Sequence, residues 1–120
     1  MKILVIGESC NDVFIYGACD RLAPAAPVPV FREEPHLDSM KVETGGMAMN
    51  VYNNISSLGD PADIITNKNW KDISKKRYVD YRTNYIVLRV DTGDHAYGSV
   101  DIDSINFNDY EAVIISDYNK

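Results

Sequence analysis

The sequence is poor in the residues that mark disulfide scaffolds and metal sites: two cysteines, two histidines and one tryptophan among 120 residues. Cys10 and Cys19 do not form a CxxC pair, and His36 and His95 stand alone, so no zinc site is expected from these four side chains. Basic residues are scarce too, with 12 Lys and Arg against 18 Asp and Glu, a net charge of -6, and no basic block longer than the short stretch SKKR. That balance disfavours nucleic acid or an anionic membrane as the main partner, because both reward a positive surface. It leaves room for a phosphorylated ligand, which a few local Lys and Arg can hold. Long hydrophobic runs are also missing. The opening MKILVIG has four apolar residues before Gly7, too few for a secretory h-region or a membrane span. A reduced, cytoplasmic protein is the expectation.

What is present fits one domain: 120 residues with 45% hydrophobic content, enough for a modest core but not for two. The spacing predicts a core strand over about 2–7, without alternation, as suits a strand buried on both faces. DVFIYG and VPVFRE predict two short strands, about 13–18 and 28–33, the second an edge strand because of Pro29. Met47, Val51, Ile55 and Leu58 then recur on one helical face, stopped by Gly59 and Pro61, which predicts the main helix over about 46–58. ADIIT reads as a short strand beside the first, and NKNWKDISKK as a connection. The β-prone stretch from about 77 to 105 alternates more cleanly at Val100 and Ile102, and Ala112–Ile115 repeats the character of the opening strand, giving a second core strand over about 111–116. Two parallel-type core strands with a helix between them predict an α/β fold with a parallel sheet and a small antiparallel β layer.

Four groups of residues carry candidate chemistry. Asp12 follows a core strand by five residues, at the carboxyl end where open α/β sheets collect ligand groups, and fits either a sugar-hydroxyl acceptor or an ordinary Asx-turn. Gly45 and Gly46 fit either a close ligand approach at a helix start, with Asn50 one turn in, or a plain tight turn. Lys75, Lys76 and Arg77 fit phosphate binding or solvated surface charge. Asp91, Asp94, Asp101 and Asp103 lack calcium-loop spacing and read as turn and surface residues. Cys10 reads as a small buried side chain, and Phe14, Tyr16 and Phe31 as either a lid face or core packing.

In order along the chain, ILVIGESCNDVFIYGACDRLAPAAPVPVF, GGMAMNVYNNISSLG, SKKRYVDYRTNYIVLRVD and YEAVIISDYNK resemble the front part of the ribokinase-like (PfkB-type) carbohydrate kinases. Within that family they look most like the heptose-7-phosphate kinase branch, on RLAPAAPVPV together with LRVD and SDYNK. The resemblance implies the N-terminal portion of a ribokinase-like fold: a parallel core sheet with a small antiparallel β lid that covers the sugar and often makes a homodimer interface. It implies ATP-dependent phosphoryl transfer to a sugar or sugar phosphate, with ATP and Mg²⁺ in the complete kinase. Residue by residue, Asp12 matches the sugar-binding acid, and Gly45, Gly46 and Asn50 match the acceptor-sugar signature. Lys75 and Arg77 match basic positions near the sugar phosphate, and Asn84 matches an Asn in the segment that follows.

This sequence also departs from the branch. Ala23 and Ala25 stand where the branch has Ser and Glu, Tyr85 and Ile86 replace glutamines, and the stretch between Gly59 and Ser74 is shortened. The GAGD-like segment with the catalytic aspartate has no counterpart in residues 1–120, so that aspartate is expected beyond residue 120. Residues 1–120 alone are expected to be inactive, supplying sugar recognition and closure. The alternative is a non-catalytic sugar-binding or dimerisation module derived from such a kinase.

Overall fold

In the computed structural model, residues 1–34, 36 and 41–120 are described. Among these residues the structure has two sheets, one α-helix and two short 3-10 turns. The first sheet is parallel and three-stranded: β1 (Ile3–Gly7) lies between β5 (Ala62–Ile65) and β8 (Ala112–Ser116). In β1 the apolar run is buried as a central parallel strand requires, with Leu4 and Val5 fully buried; β8 pairs where a second core strand was expected but lies at the sheet edge with Val113, Ile114 and Ile115 exposed, because no helix among the described residues covers them. Helix α1 (Ala48–Ser57) covers one face, where Val5, Ala48 and Ile55 form a cluster with Val51, Tyr52 and Ile64 around it. Gly59 (φ 92°) ends the helix, its N–H donating to the Ser56 carbonyl at 3.1 Å, and Leu58 is left exposed at this end instead of completing the apolar face.

The second sheet is built on one long strand, β2 (Ser9–Leu22). Along its first half β2 pairs antiparallel with β4 (Val42–Met47), and along its far half with β3 (Pro29–Arg32), whose proline stands at a strand start on the sheet edge. On its other side β2 pairs with β6 (Ser74–Asp80), which forms an antiparallel hairpin with β7 (Ile86–Thr92). The β2–β6 pairing is parallel, so the layer is mixed where the sequence pointed to an antiparallel one.

Four boundaries differ from expectation. The lid strand expected over 13–18 runs from Ser9 to Leu22, because its first residues continue directly from the core strand into pairing with β4. The stretch expected as strand over 77–105 is β6 and β7 only. Residues 93–105 leave the sheet at Gly93 (φ 74°), and Ile102 is half exposed, so its alternation has no apolar surface to face. Gly45 and Gly46 lie in β4, paired with Asn11 and Cys10, and the helix starts two residues later than Gly46. Met47 makes the turn from strand to helix at φ 60° and ψ -125°, a conformation that costs a non-glycine residue of order 1–3 kcal/mol. Its side chain is buried with Cys10 and Ile73 in a second, smaller cluster, and no side chain caps α1.

Candidate functional site

Side chains two apart on a strand share a face, and cross-strand partners share it too. Asp12 pairs with Lys75, Phe14 with Arg77, Lys75 with Asp91, and Arg77 with Arg89. Register alone therefore sets Asp12, Lys75, Arg77, Arg89 and Asp91 on one face of the second sheet. Asn50 comes from the first turn of α1, and Tyr118 and Lys120 from the segment after β8. Asp12, Lys75, Arg77 and Arg89, with Asn50, Tyr118, Lys120 and Met47, line a cavity of about 340 Å³; Asp91 is not among its lining residues.

The sequence-predicted residues divide clearly. Asp12, Asn50, Lys75 and Arg77 share the cavity. Gly46 shapes it from behind: a Cβ there would lie 2.6 Å from the Asp12 Oδ2 atom, so the missing side chain is what lets the carboxylate sit where it does. Gly45 opposes Met49 and lies in β4 next to the cavity. Asn84 stands apart, in the β6–β7 turn at φ 60°, with its N–H donating to the Asp80 carbonyl at 2.8 Å.

Arg89 and Lys120 went unnoticed in the sequence. The signal for Arg89 was available: a hairpin turning over residues 81–85 brings position 89 opposite position 77. Lys120 carries no such signal. Glu8, just past β1, accepts the backbone N–H groups of Tyr118 (3.0 Å) and Lys120 (2.7 Å), which brings that segment to the cavity wall.

Four cations and one carboxylate line the cavity of a chain with net charge -6. Each cation is held by a carboxylate. Arg77 donates to Asp12 at 3.3 Å and lies over the Phe14 ring, and Arg89 donates to Asp91 at 2.8 Å. Lys75 sits 3.2 Å from Asp94 and 3.7 Å from Asp91, and Lys120 sits 2.9 Å from Asp94. Asp91 and Asp94 thus belong to an ion network at the cavity and are not the plain surface residues their sequence context suggested.

The Lys120 and Lys75 ammonium groups hold the Asp94 carboxyl down at about 2. Burial, followed by the neighbouring Asp12 charge, pushes the Cys10 thiol up to about 11, which makes it inert as a nucleophile. Burial also pushes Tyr97 up to about 12, and its hydroxyl lies 3.5 Å from both Asp94 Oδ1 and Met47 Sδ. Such a site can accept hydrogen bonds from hydroxyls at Asp12, exchange them at Asn50, and neutralise an anion with its cations. Among the described residues there is no group of three or more His, Cys, Asp or Glu placed to hold a metal ion, and no helix long and apolar enough to cross a membrane.

No family model matches the chain. It is similar to the bifunctional protein HldE of Helicobacter acinonychis, 30% identical over 151 aligned positions that take in 99% of this chain and 32% of that protein. The alignment has more positions than this chain has residues, so the relative carries segments absent here. HldE of Hyphomonas neptunium is 45% identical over 58 residues, covering 48% of this chain and 11% of its own. A solved carbohydrate kinase from Agrobacterium tumefaciens aligns with a TM-score of 0.37 at 16% identity, over 78% of this chain and 36% of that one. The chain spans about a third of the length of the HldE protein that it matches from end to end. Its sequence is thus similar to that of HldE of Helicobacter acinonychis across almost its whole length.

Proposed function

We propose that the chain is the sugar-recognition and lid part of a cytoplasmic, ATP-dependent carbohydrate kinase whose acceptor is a phosphorylated sugar of the heptose-7-phosphate kind. The observation that carries this reading is the single cavity shared by Asp12, Asn50, Lys75 and Arg77. Asp12 accepts hydrogen bonds from sugar hydroxyls, Asn50 fixes a further hydroxyl, and Lys75 with Arg77 meets the phosphate. Arg77 then turns from Asp12 to the ligand, so its ion pair with Asp12 is exchanged and not simply lost. ATP and Mg²⁺ belong to the complete kinase reaction. The described residues offer neither a metal-holding cluster nor a glycine-rich phosphate loop, so no step at the nucleotide is assigned to them.

Calorimetric titration with D-glycero-D-manno-heptose 7-phosphate and with the unphosphorylated heptose tests the reading. Binding of both is expected, tighter for the phosphate. A charge-assisted hydrogen bond contributes about 1.5–3 kcal/mol, so Asp12→Ala weakens both by about 10- to 100-fold. Unchanged affinity in Asp12→Ala and Asn50→Ala would overturn it. So would kinase activity of residues 1–120 alone, since that would place the catalytic aspartate within them.

A second reading, that the chain is a non-catalytic dimerisation module, is favoured by one observation. Ile86, Leu88 and Val90 alternate along β7 and are 55%, 56% and 39% exposed, an apolar lid face with no partner among the described residues. A homodimer through this face is compatible with either reading. Sugar binding is open to a non-catalytic sugar-binding or dimerisation module as well; ATP-dependent phosphorylation by a longer protein that contains the chain separates the readings.

A further inference from the structure

We propose that Asp94 is an internal stand-in for the ligand phosphate: its carboxylate holds Lys75 and Lys120 together, and a phosphorylated ligand binds by taking these two ammonium groups from it. The inference rests on the reading above in one respect, that the ligand carries a phosphate.

Three separate parts of the chain converge on this contact. Lys75 comes from β6, Lys120 from the segment after β8, and Asp94 from the turn that Gly93 makes at the end of β7. Neither the loop nor the segment arrives by chance. The Asn69 amide donates to the Ala96 carbonyl at 2.7 Å and its oxygen accepts the Gly98 N–H at 3.0 Å, while fully buried Asn67 donates to Asn69 from behind. Glu8 fixes the backbone of Lys120 from the other side. Two anchored pieces of backbone thus deliver one carboxylate to two lysines. Ion pairs this exposed add little to stability, about 0–1 kcal/mol each, so the fold gains little from the arrangement.

The cavity explains it better. Asp12 pairs with Arg77 and is the acid that the sugar itself needs, and Asp91 is held most closely by Arg89. Asp94 bridges Lys75 and Lys120 at 3.2 and 2.9 Å while standing outside the lining, 38% exposed; Asp91 also touches two lining cations, but its contact with Lys75 is longer, 3.7 Å, and it is less exposed, 27%. It can release both lysines and turn into water, where its charge is solvated. A phosphate dianion offers the same two ammonium groups more acceptor oxygens and more charge than one carboxylate does. With the lysines holding its carboxyl at about 2, Asp94 remains charged throughout the neutral range, so the competition is permanent and is not switched by pH near 7.

The test is titration of the whole chain with inorganic phosphate at low ionic strength, followed by calorimetry. Asp94→Asn keeps the shape and an acceptor for Tyr97 while removing the charge, and is expected to bind phosphate about three- to tenfold more tightly. Lys75→Ala and Lys120→Ala are expected to bind it more weakly. Asp101→Asn makes the same change of net charge away from the cavity and is expected to have no effect; an equal gain there would overturn the proposal. Asp94→Ser gives the same sign as Asp94→Asn and covers the case in which the amide fails to fold, with circular dichroism reporting the fold of each. Equal or weaker binding in the Asp94 variants would make Asp94 a positioning residue for Lys75 and overturn the proposal, as would no phosphate binding in any form. Binding of unphosphorylated heptose, and its loss in Asp12→Ala, is read separately, so a failure here is distinguishable from failure of the kinase reading.

Discussion

Gly46 acts through what it leaves out. A methyl group in its place would lie 2.6 Å from the Asp12 carboxylate, well inside contact distance. Gly46→Ala is therefore expected to displace Asp12, cost about 1–3 kcal/mol in a urea melt and weaken sugar binding about tenfold. Asn84 gives the opposite expectation. It sits at φ 60° in the β6–β7 turn, beside Asp80, whose buried carboxylate accepts from Thr83 and Arg82. Asn84→Gly is expected to leave both stability and sugar affinity unchanged, and Asn84→Ala to lose about 1 kcal/mol because alanine tolerates the left-handed region less well. A large loss of affinity in Asn84→Gly would instead place the side chain on the ligand. At this scale the sequence revealed Asp12, because a carboxylate just past a core strand is visible in one dimension. Arg89 and Lys120 were hidden because register and a carboxylate clamp, not sequence proximity, bring them to the cavity.

Elements differ in how openly they announce themselves. β1 was readable because a buried parallel strand needs an unbroken apolar run, and α1 because its apolar residues recur at helical spacing; β8 was readable as a strand but not as an exposed edge, since its run looks the same in sequence. β4 was not: VETGGM has few strand formers, and two glycines before a helix look like a helix start. Its strand character comes from pairing with β2, a tertiary effect that overrides local preference. Residues 93–105 show the converse, with alternation but no surface to bury it. The apolar face of β7 leads to a prediction at this scale. Leu88→Asp is expected to convert a dimer seen by light scattering into a monomer while sparing sugar binding, since Arg89 and Asp91 point to the other face. A monomeric parent protein would remove the lid-dimer expectation.

The whole molecule is long and lean. Its extents are 61 × 31 × 19 Å and its radius of gyration is 18.1 Å, against about 14 Å for a compact domain of this length. Its accessible surface of 7689 Å² exceeds the roughly 6,500 Å² of a typical monomer of its mass. Among the described residues two small buried clusters stand in place of one large core. Asp94 is held at about 2, below its usual 3.8, by Lys120 and Lys75. A depressed carboxylate contributes stability that is fully present above its unfolded value and is lost as pH falls through the folded one. The acid limb of the stability curve between pH about 4 and 2 is thus expected to be shallower in Asp94→Asn than in the parent, with the two converging at the low end. Equal slopes would show that the pairs do not persist in solution.

The fourteen residues of β2 connect these scales. One unbroken strand begins against the buried polar contacts of Ser9, carries Asp12 at the cavity and continues into the lid through Leu22. The pairing with β4 and β6 runs without a break through Gly17, and the irregular step in this strand comes later, between Ala18 and Arg21 where it pairs with β3. Bending of the far end of this sheet relative to the cavity would therefore be shared out over the coiling of a long ribbon, with the step between Ala18 and Arg21 as its one irregular place among the described pairings of β2.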